Sequence, residues 1–301
     1  MKPLSRPSFH EIPLSAPGAG PYGITTGPDG ALWITMVHSG QVARMTLEGR
    51  IDCFPLESSA CRPCIITPGP DGALWFTQSQ DHRIGRITTE GAITSFPLPT
   101  SNAGPFGIAS GPDGALWFTE MNTDRIGRIT TDGAITEFPL HTSGAFASAI
   151  TSGLDGALWL TLNQANAIGR VTPEGDVQIH PLPTPSAAPV GITRGADGAL
   201  WFVEIGAGQI GRITTDGEIR EFPLPDRAAR PHAIVADPSG ACWFTEWGGN
   251  RLGHITKAGV VQEYDLPTPS SEPHGLVLGP DGALWIALEI GRILRVSFPE
   301  G

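Results

Sequence analysis

The phrase DGALW stands at 29–33, 71–75, 113–117, 155–159, 197–201 and 281–285, and a worn copy, SGACW, fills 239–243. Each copy begins 42 residues after the last, so seven units are laid end to end. A period of this length marks a repeat architecture, because each unit is one supersecondary element that buries its apolar face only by stacking on the next. A length of 301 residues would otherwise suggest two domains; the array reads as one, spanning 1–301. A slot that breaks so regular a pattern needs a reason of its own.

Unit 105–139 shows what each repeat folds into. PFGIAS is a short apolar run, GPDG a turn, and ALWFTE a β-branched and aromatic strand. NTD then turns the chain into RIGRIT, and TDG turns it into AITEFPLP. Four short strands joined by hairpins make one antiparallel sheet, and no stretch sustains the 3.6-residue period of a helix. The spacing therefore predicts an all-β, seven-bladed β-propeller, with Trp33, Trp75, Trp117, Trp159, Trp201, Trp243 and Trp285 packed between neighbouring blades. Burying a large apolar side chain contributes roughly 1.5–3 kcal/mol, which makes these indoles structural.

The last unit ends at Gly301 without a convincing outer strand. Elsewhere the outer-strand phrase precedes the next blade by nine residues, from Phe138 to Ala147 or Phe222 to Pro231, and Ile12 stands nine before Pro21. Residues 8–14 are thus expected to complete the C-terminal blade and close the ring, which removes the open edges of an unclosed array. The last unit also reads as four residues shorter between its Trp and its IGR phrase.

The formal net charge of −11, from 19 basic and 30 acidic residues, argues against a nucleic-acid partner. The N-terminus, MKPLSRPSFHEIPL, has no run resembling a signal peptide, and nowhere do about 18 apolar residues run together as a membrane span would require. A cytoplasmic protein is expected, with no membrane partner, and a monomer, since a closed ring has no obligatory partner. Cys61 and Cys64 form a CxxC without a second CxxC or a His pair at zinc spacing, so they read as small core residues, as does Cys242.

Function should lie where the repeats disagree. Eleven residues before each Trp stand Tyr22, Cys64, Phe106, Ser148, Val190, His232 and His274, slots that ring one mouth of the central channel. Two positions earlier stand Gly20, Arg62, Gly104, Phe146, Ala188, Arg230 and Glu272; an extended backbone there would set Glu272 on the same strand face as His274. Three residues after each Trp stand Met36, Gln78, Glu120, Leu162, Glu204, Glu246 and Leu288, with Glu289 one step further. His232, Glu272, His274 and Glu289 thus converge on the sixth and seventh blades. Carboxylates favour a hard cation such as magnesium, and imidazole is left for base chemistry near neutrality. His10, His38, His82, His141, His180 and His254 lie in other slots and are read as structural or solvated.

The chain resembles the virginiamycin B (streptogramin B) lyases. The likeness runs through LWFTE, NRIGRIT-like and EFPLP phrases, PYGIT at 21–25, RPHAI at 230–234, WFTEWG at 243–248 and EPHGL at 272–276. It implies a magnesium-dependent carbon–oxygen lyase that opens a small cyclic depsipeptide antibiotic by elimination, thereby conferring resistance. Matching the motifs, the resemblance implies His232 as substrate-binding, Glu272 and Glu289 as ligands to Mg2+, and His274 as the proton acceptor. Tyr22, Phe106 and Val190 would offer an apolar rim to a bulky peptide, or else plug the channel mouth. The fourth unit, HTSGAFASAIT, departs from the Pro–Gly pattern. Two other classes remain open: a metal-dependent hydrolase such as a lactonase, with ligands spread around the ring, and a non-catalytic propeller that binds through its exposed loops.

Overall fold

Hairpin signals in each repeat become a four-stranded antiparallel sheet in the computed structural model, which describes residues 6–14 and 18–298. The expected 1–301 unit, its MKPLS start and its end at Gly301 therefore lie partly outside the described residues. The third blade is representative: Pro105–Ser110, Leu116–Glu120, Arg125–Ile129 and Ile135–Pro139 follow one another from channel to rim. Seven such sheets form the ring, and among the described residues there is no helix. The chain is a seven-bladed β-propeller.

In the seventh blade the inner strands are Pro273–Leu278, Leu284–Leu288 and Arg292–Ser297, and the outer strand is Ser8–Pro13 from the other end of the chain. Ile12 faces Ile293 just as Phe138 faces Ile126, and Pro273–Leu278 packs on the first blade's Pro21–Thr26. The N-terminal segment closes the ring, as its spacing predicts.

The repeated phrase is explained by one clamp. Asp113 Oδ1 accepts the indole N–H of Trp117 at 3.0 Å, and its Oδ2 accepts Arg128 Nε–H at 2.6 Å. Burial alone would raise the Asp113 pKa, but these two hydrogen bonds hold it below the usual carboxylate range. Trp117 is fully buried and packs on Ile150 and Leu160 of the next blade, so the clamp orients the side chain that joins blades. Trp285 likewise packs on Ile24 and Ile34 across the closing seam.

The clamp also corrects one expectation. In the seventh blade Trp285 faces Arg295, whose Nε–H reaches Asp281 at 2.9 Å, so Ile293–Arg295 occupies the place of the other blades' IGR. Gly291 and Arg292 only mimic the phrase. The turn between Leu288 and Arg292 holds three residues where the third blade holds four between Glu120 and Arg125, a shortening of one residue and not four.

Each inner strand bulges at the channel slot. Pro105 pairs with Glu120 and Ile108 with Phe118, leaving Phe106 and Gly107 opposite Thr119 alone. Thr119 Oγ1 accepts Gly107 N–H at 2.9 Å, and a Cβ on Gly107 would lie 2.4 Å from the Ser148 carbonyl of the next blade, so this glycine is required by close approach. The same bulge recurs in the inner strands of the sixth and seventh blades, which carry His232 and His274.

The carboxylates three residues beyond each Trp do not face the mouth. Glu120, Glu204 and Glu246 are fully buried. Burial pushes the Glu204 pKa up to about 7, against a hydrogen bond donated by Gln209 and with help from Glu221. An unfolded Glu titrates near 4.3. Between about pH 4.3 and 7 the folded state therefore holds a proton the unfolded state has lost, so stability falls as pH rises through that window and flattens above it. Glu204→Gln is expected to flatten the fall of the unfolding midpoint from pH 5 to 7.5 and to raise the midpoint at pH 8. Parallel wild-type and variant profiles would exclude this origin.

Candidate active site

Four aromatic side chains from four blades, Tyr22, Phe106, His232 and His274, meet at one channel mouth. The His274 ring centroid lies 4.5 Å from Tyr22 and 4.5 Å from His232, the latter edge-on at 81°. The Tyr22 hydroxyl shares a hydrogen bond with His232 Nε2 at 3.3 Å, and Phe106 stands edge-on to Tyr22 at 6.1 Å. Below them Ile24, Ile66, Ile108, Ile150, Ile192, Ile234 and Leu276 line the bore, so the mouth sits on an apolar floor. Burial, and then the neighbouring His274, push the His232 pKa down to about 3, leaving it neutral at physiological pH. Burial likewise raises the Tyr22 pKa, which keeps its hydroxyl protonated.

Glu289 opens the short turn of the seventh blade and joins this group. Its Oε2 accepts His274 Nε2–H, and its Oε1 accepts His38 Nε2–H at 2.6 Å. The His274 hydrogen bond is the largest influence on Glu289; it outweighs burial and, with His38, brings the pKa down to about 2. An ionised carboxylate is an acceptor only, so both imidazoles must donate from Nε2. The lone pair of neutral His274 is then on Nδ1, which is buried and has no hydrogen-bond partner among the described residues.

His38, expected to be structural or solvated, is brought to Glu289 because ring closure sets the first blade beside the seventh. Gly20 leaves room for this ring, because a Cβ there would lie 2.3 Å from His38 Cδ2. The other five histidines behave differently. His180 stacks on Trp159 in place of a Phe, His254 packs against Trp243 in place of the clamp arginine, and His82 Nδ1 accepts Gly104 N–H. His10 and His141 are exposed.

Glu272 is placed otherwise than the extended backbone would have it. Its φ is 52°, as those of Arg62, Phe146, Ala188 and Arg230 are near 50° at the same place in their blades, so it does not share a strand face with His274. The left-handed turn instead aims its carbonyl at the neighbouring turn, where it accepts Glu289 N–H at 3.1 Å. Two carboxylates thus leave adjoining backbone segments, Glu272 exposed and Glu289 half-buried. Among the described residues no three His, Cys, Asp or Glu side chains are grouped so that together they could hold a metal ion. Magnesium keeps several waters and takes one or two carboxylates, so the oxygen chemistry of Glu272 and Glu289 suits it better than it would suit a metal that prefers thiolates.

The mouth extends over the first four blades as a cavity lined by Tyr22, Arg62, Cys64, Phe106, Met121 and Phe146. Cys61 and Cys64 are free and buried, and burial pushes the Cys61 thiol up to about 12. On the far side Arg230 lies over Trp247 at 5.5 Å.

Residues 7–296 match the model of the virginiamycin B lyase family. The structure is similar to that of virginiamycin B lyase from Staphylococcus aureus, with 45% identity and a TM-score of 0.94 over 97% of this chain and all of that one. A catalytically inactive histidine-to-alanine variant of the Staphylococcus aureus enzyme, solved with quinupristin, aligns with 44% identity and a TM-score of 0.94 over 97% of this chain and 100% of that one. A virginiamycin B lyase from Saccharopolyspora erythraea is 59% identical over 49 residues, a stretch that spans only 16% of each chain.

Proposed function

The chain belongs to the virginiamycin B lyase family, and on that premise we propose that it inactivates streptogramin B antibiotics by opening their ring ester through elimination. The observation that carries this reading is the meeting of His274, His232 and Glu289 at one mouth, with Glu272 on the adjoining turn.

His274 Nδ1, the free lone pair, takes the α-proton of the threonine residue whose side chain bears the ester. The electron pair forms the Cα–Cβ double bond, the Cβ–O bond breaks, and the carboxylate leaves with both ester oxygens. A carboxylate is a stable leaving group, so no general acid is needed. Glu289 holds the imidazole in the required tautomer and stabilises the imidazolium that forms. His232, neutral, holds the substrate as a hydrogen-bonding group, and Tyr22 and Phe106 give the peptide an apolar wall. Magnesium held by Glu272 and Glu289 would supply Lewis-acid stabilisation of charge on the carbonyl beside the α-carbon. A cytoplasmic monomer is the proposed working form.

Incubation with a streptogramin B, with magnesium or with EDTA, followed by mass measurement tests this. The expected product has the mass of the substrate and forms only without chelator. A product heavier by one water would identify a hydrolase instead, and no product at all would overturn the substrate.

A further inference from the structure

We propose that His38 is a positioning residue that holds Glu289 in place for His274, across the seam where the first and last blades close the ring. This rests on the reading of His274 as the base. Three observations converge on His38. Its Nε2–H donates to Glu289 Oε1 at 2.6 Å, while the other carboxylate oxygen serves His274. Its backbone N–H donates to the Ala19 carbonyl at 3.1 Å, which fixes the turn that carries it. Its ring occupies the space above Gly20, where a Cβ would lie 2.3 Å from it, as Asn122 does above Gly104 in the third blade, whereas Arg62, Phe146, Ala188, Arg230 and Glu272 carry side chains at that place in the other five blades. The turn position itself is Gln80, Asn122, Gln164, Gly206 or Gly248 in the next five blades.

Glu289 needs such a partner because it stands first in a short turn, with its side chain 20% exposed. Unheld at Oε1, the carboxylate rotates into solvent and its bond to His274 becomes one arrangement among several. His274 then loses the tautomer that leaves Nδ1 bare. Groups that hydrogen-bond a metal-ligating or orienting carboxylate typically matter about 10–100-fold, and a half-exposed one falls at the lower end.

The test compares wild type, His38→Ala and His38→Gln; glutamine keeps a donor. Long-range proton–nitrogen spectra of the metal-free protein at neutral pH read the His274 tautomer. A ring protonated at Nε2 is expected in wild type and His38→Gln, and a tautomer mixture in His38→Ala. On streptogramin B, kcat of His38→Ala should fall about 10-fold with KM within about twofold, and His38→Gln should recover most of it. An unchanged His274 spectrum, or a raised KM at constant kcat, would overturn the proposal. Absence of turnover by the wild type overturns the substrate reading instead, and the spectra then decide the role of His38 alone.

Discussion

His274→Ala is expected to lower turnover by roughly 10²–10⁴-fold, the range contributed by a positioned general base, while the propeller stays folded. The slot itself is permissive, since Tyr22, Cys64, Phe106, Ser148, Val190 and His232 occupy it in the other blades. What ties this strand to its neighbour is backbone: the His274 carbonyl accepts Thr245 Oγ1–H at 2.9 Å and needs no imidazole. The variant loses the ring's packing and leaves Glu289 with one partner, a cost of about 1–3 kcal/mol in the unfolding free energy. Circular dichroism should therefore match the wild type, and added imidazole should restore part of the turnover. Retained activity would remove His274 from the chemistry, and an unfolded variant would make the slot structural.

The fold was legible because its determinants are local and repeated. Asp113, Trp117 and Arg128 form one clamp, and the DGALW phrase that supplies its Asp and Trp, repeated every 42 residues with a worn copy in the sixth blade, announces both the blade and the count. Nine-residue spacing from Ile12 to Pro21 placed the closing strand for the same reason. Errors arose where a phrase and its register part company. Gly291 and Arg292 spell the repeat, but pairing follows the buried Trp285–Arg295 contact, so the turn shortens by one residue. Glu272 stands out as a candidate site residue from its repeat slot and its motif, yet its orientation depends on a left-handed φ that a strand-alternation argument does not contain. The contact of His38 with Glu289 was not legible because closure makes residues 251 apart neighbours, and nothing in the turn of His38 records that.

Glu289→Gln and Glu272→Gln are expected to fail in different ways. Glu289 accepts two imidazole N–H groups through two oxygens. An amide offers one oxygen and an NH2, so one imidazole must flip its tautomer or lose its bond. If His274 is that imidazole, Nδ1 becomes protonated and the base is blocked; if it is His38, the carboxamide is no longer held. Turnover of Glu289→Gln should fall roughly 10²–10³-fold, as for loss of a preorganised electrostatic group, and added magnesium should not restore it. Glu272 is exposed, and its link to the site is its backbone carbonyl, which the substitution leaves intact. On the proposed function its side chain acts through the metal alone, and Glu272→Gln should then weaken magnesium binding about 10–100-fold and recover most of its turnover at saturating magnesium. Titration of both variants with magnesium, read by calorimetry and by kcat, separates the two roles. Full rescue of Glu289→Gln would reduce Glu289 to a metal ligand, and a failure of magnesium to rescue Glu272→Gln would place that carboxylate on the substrate.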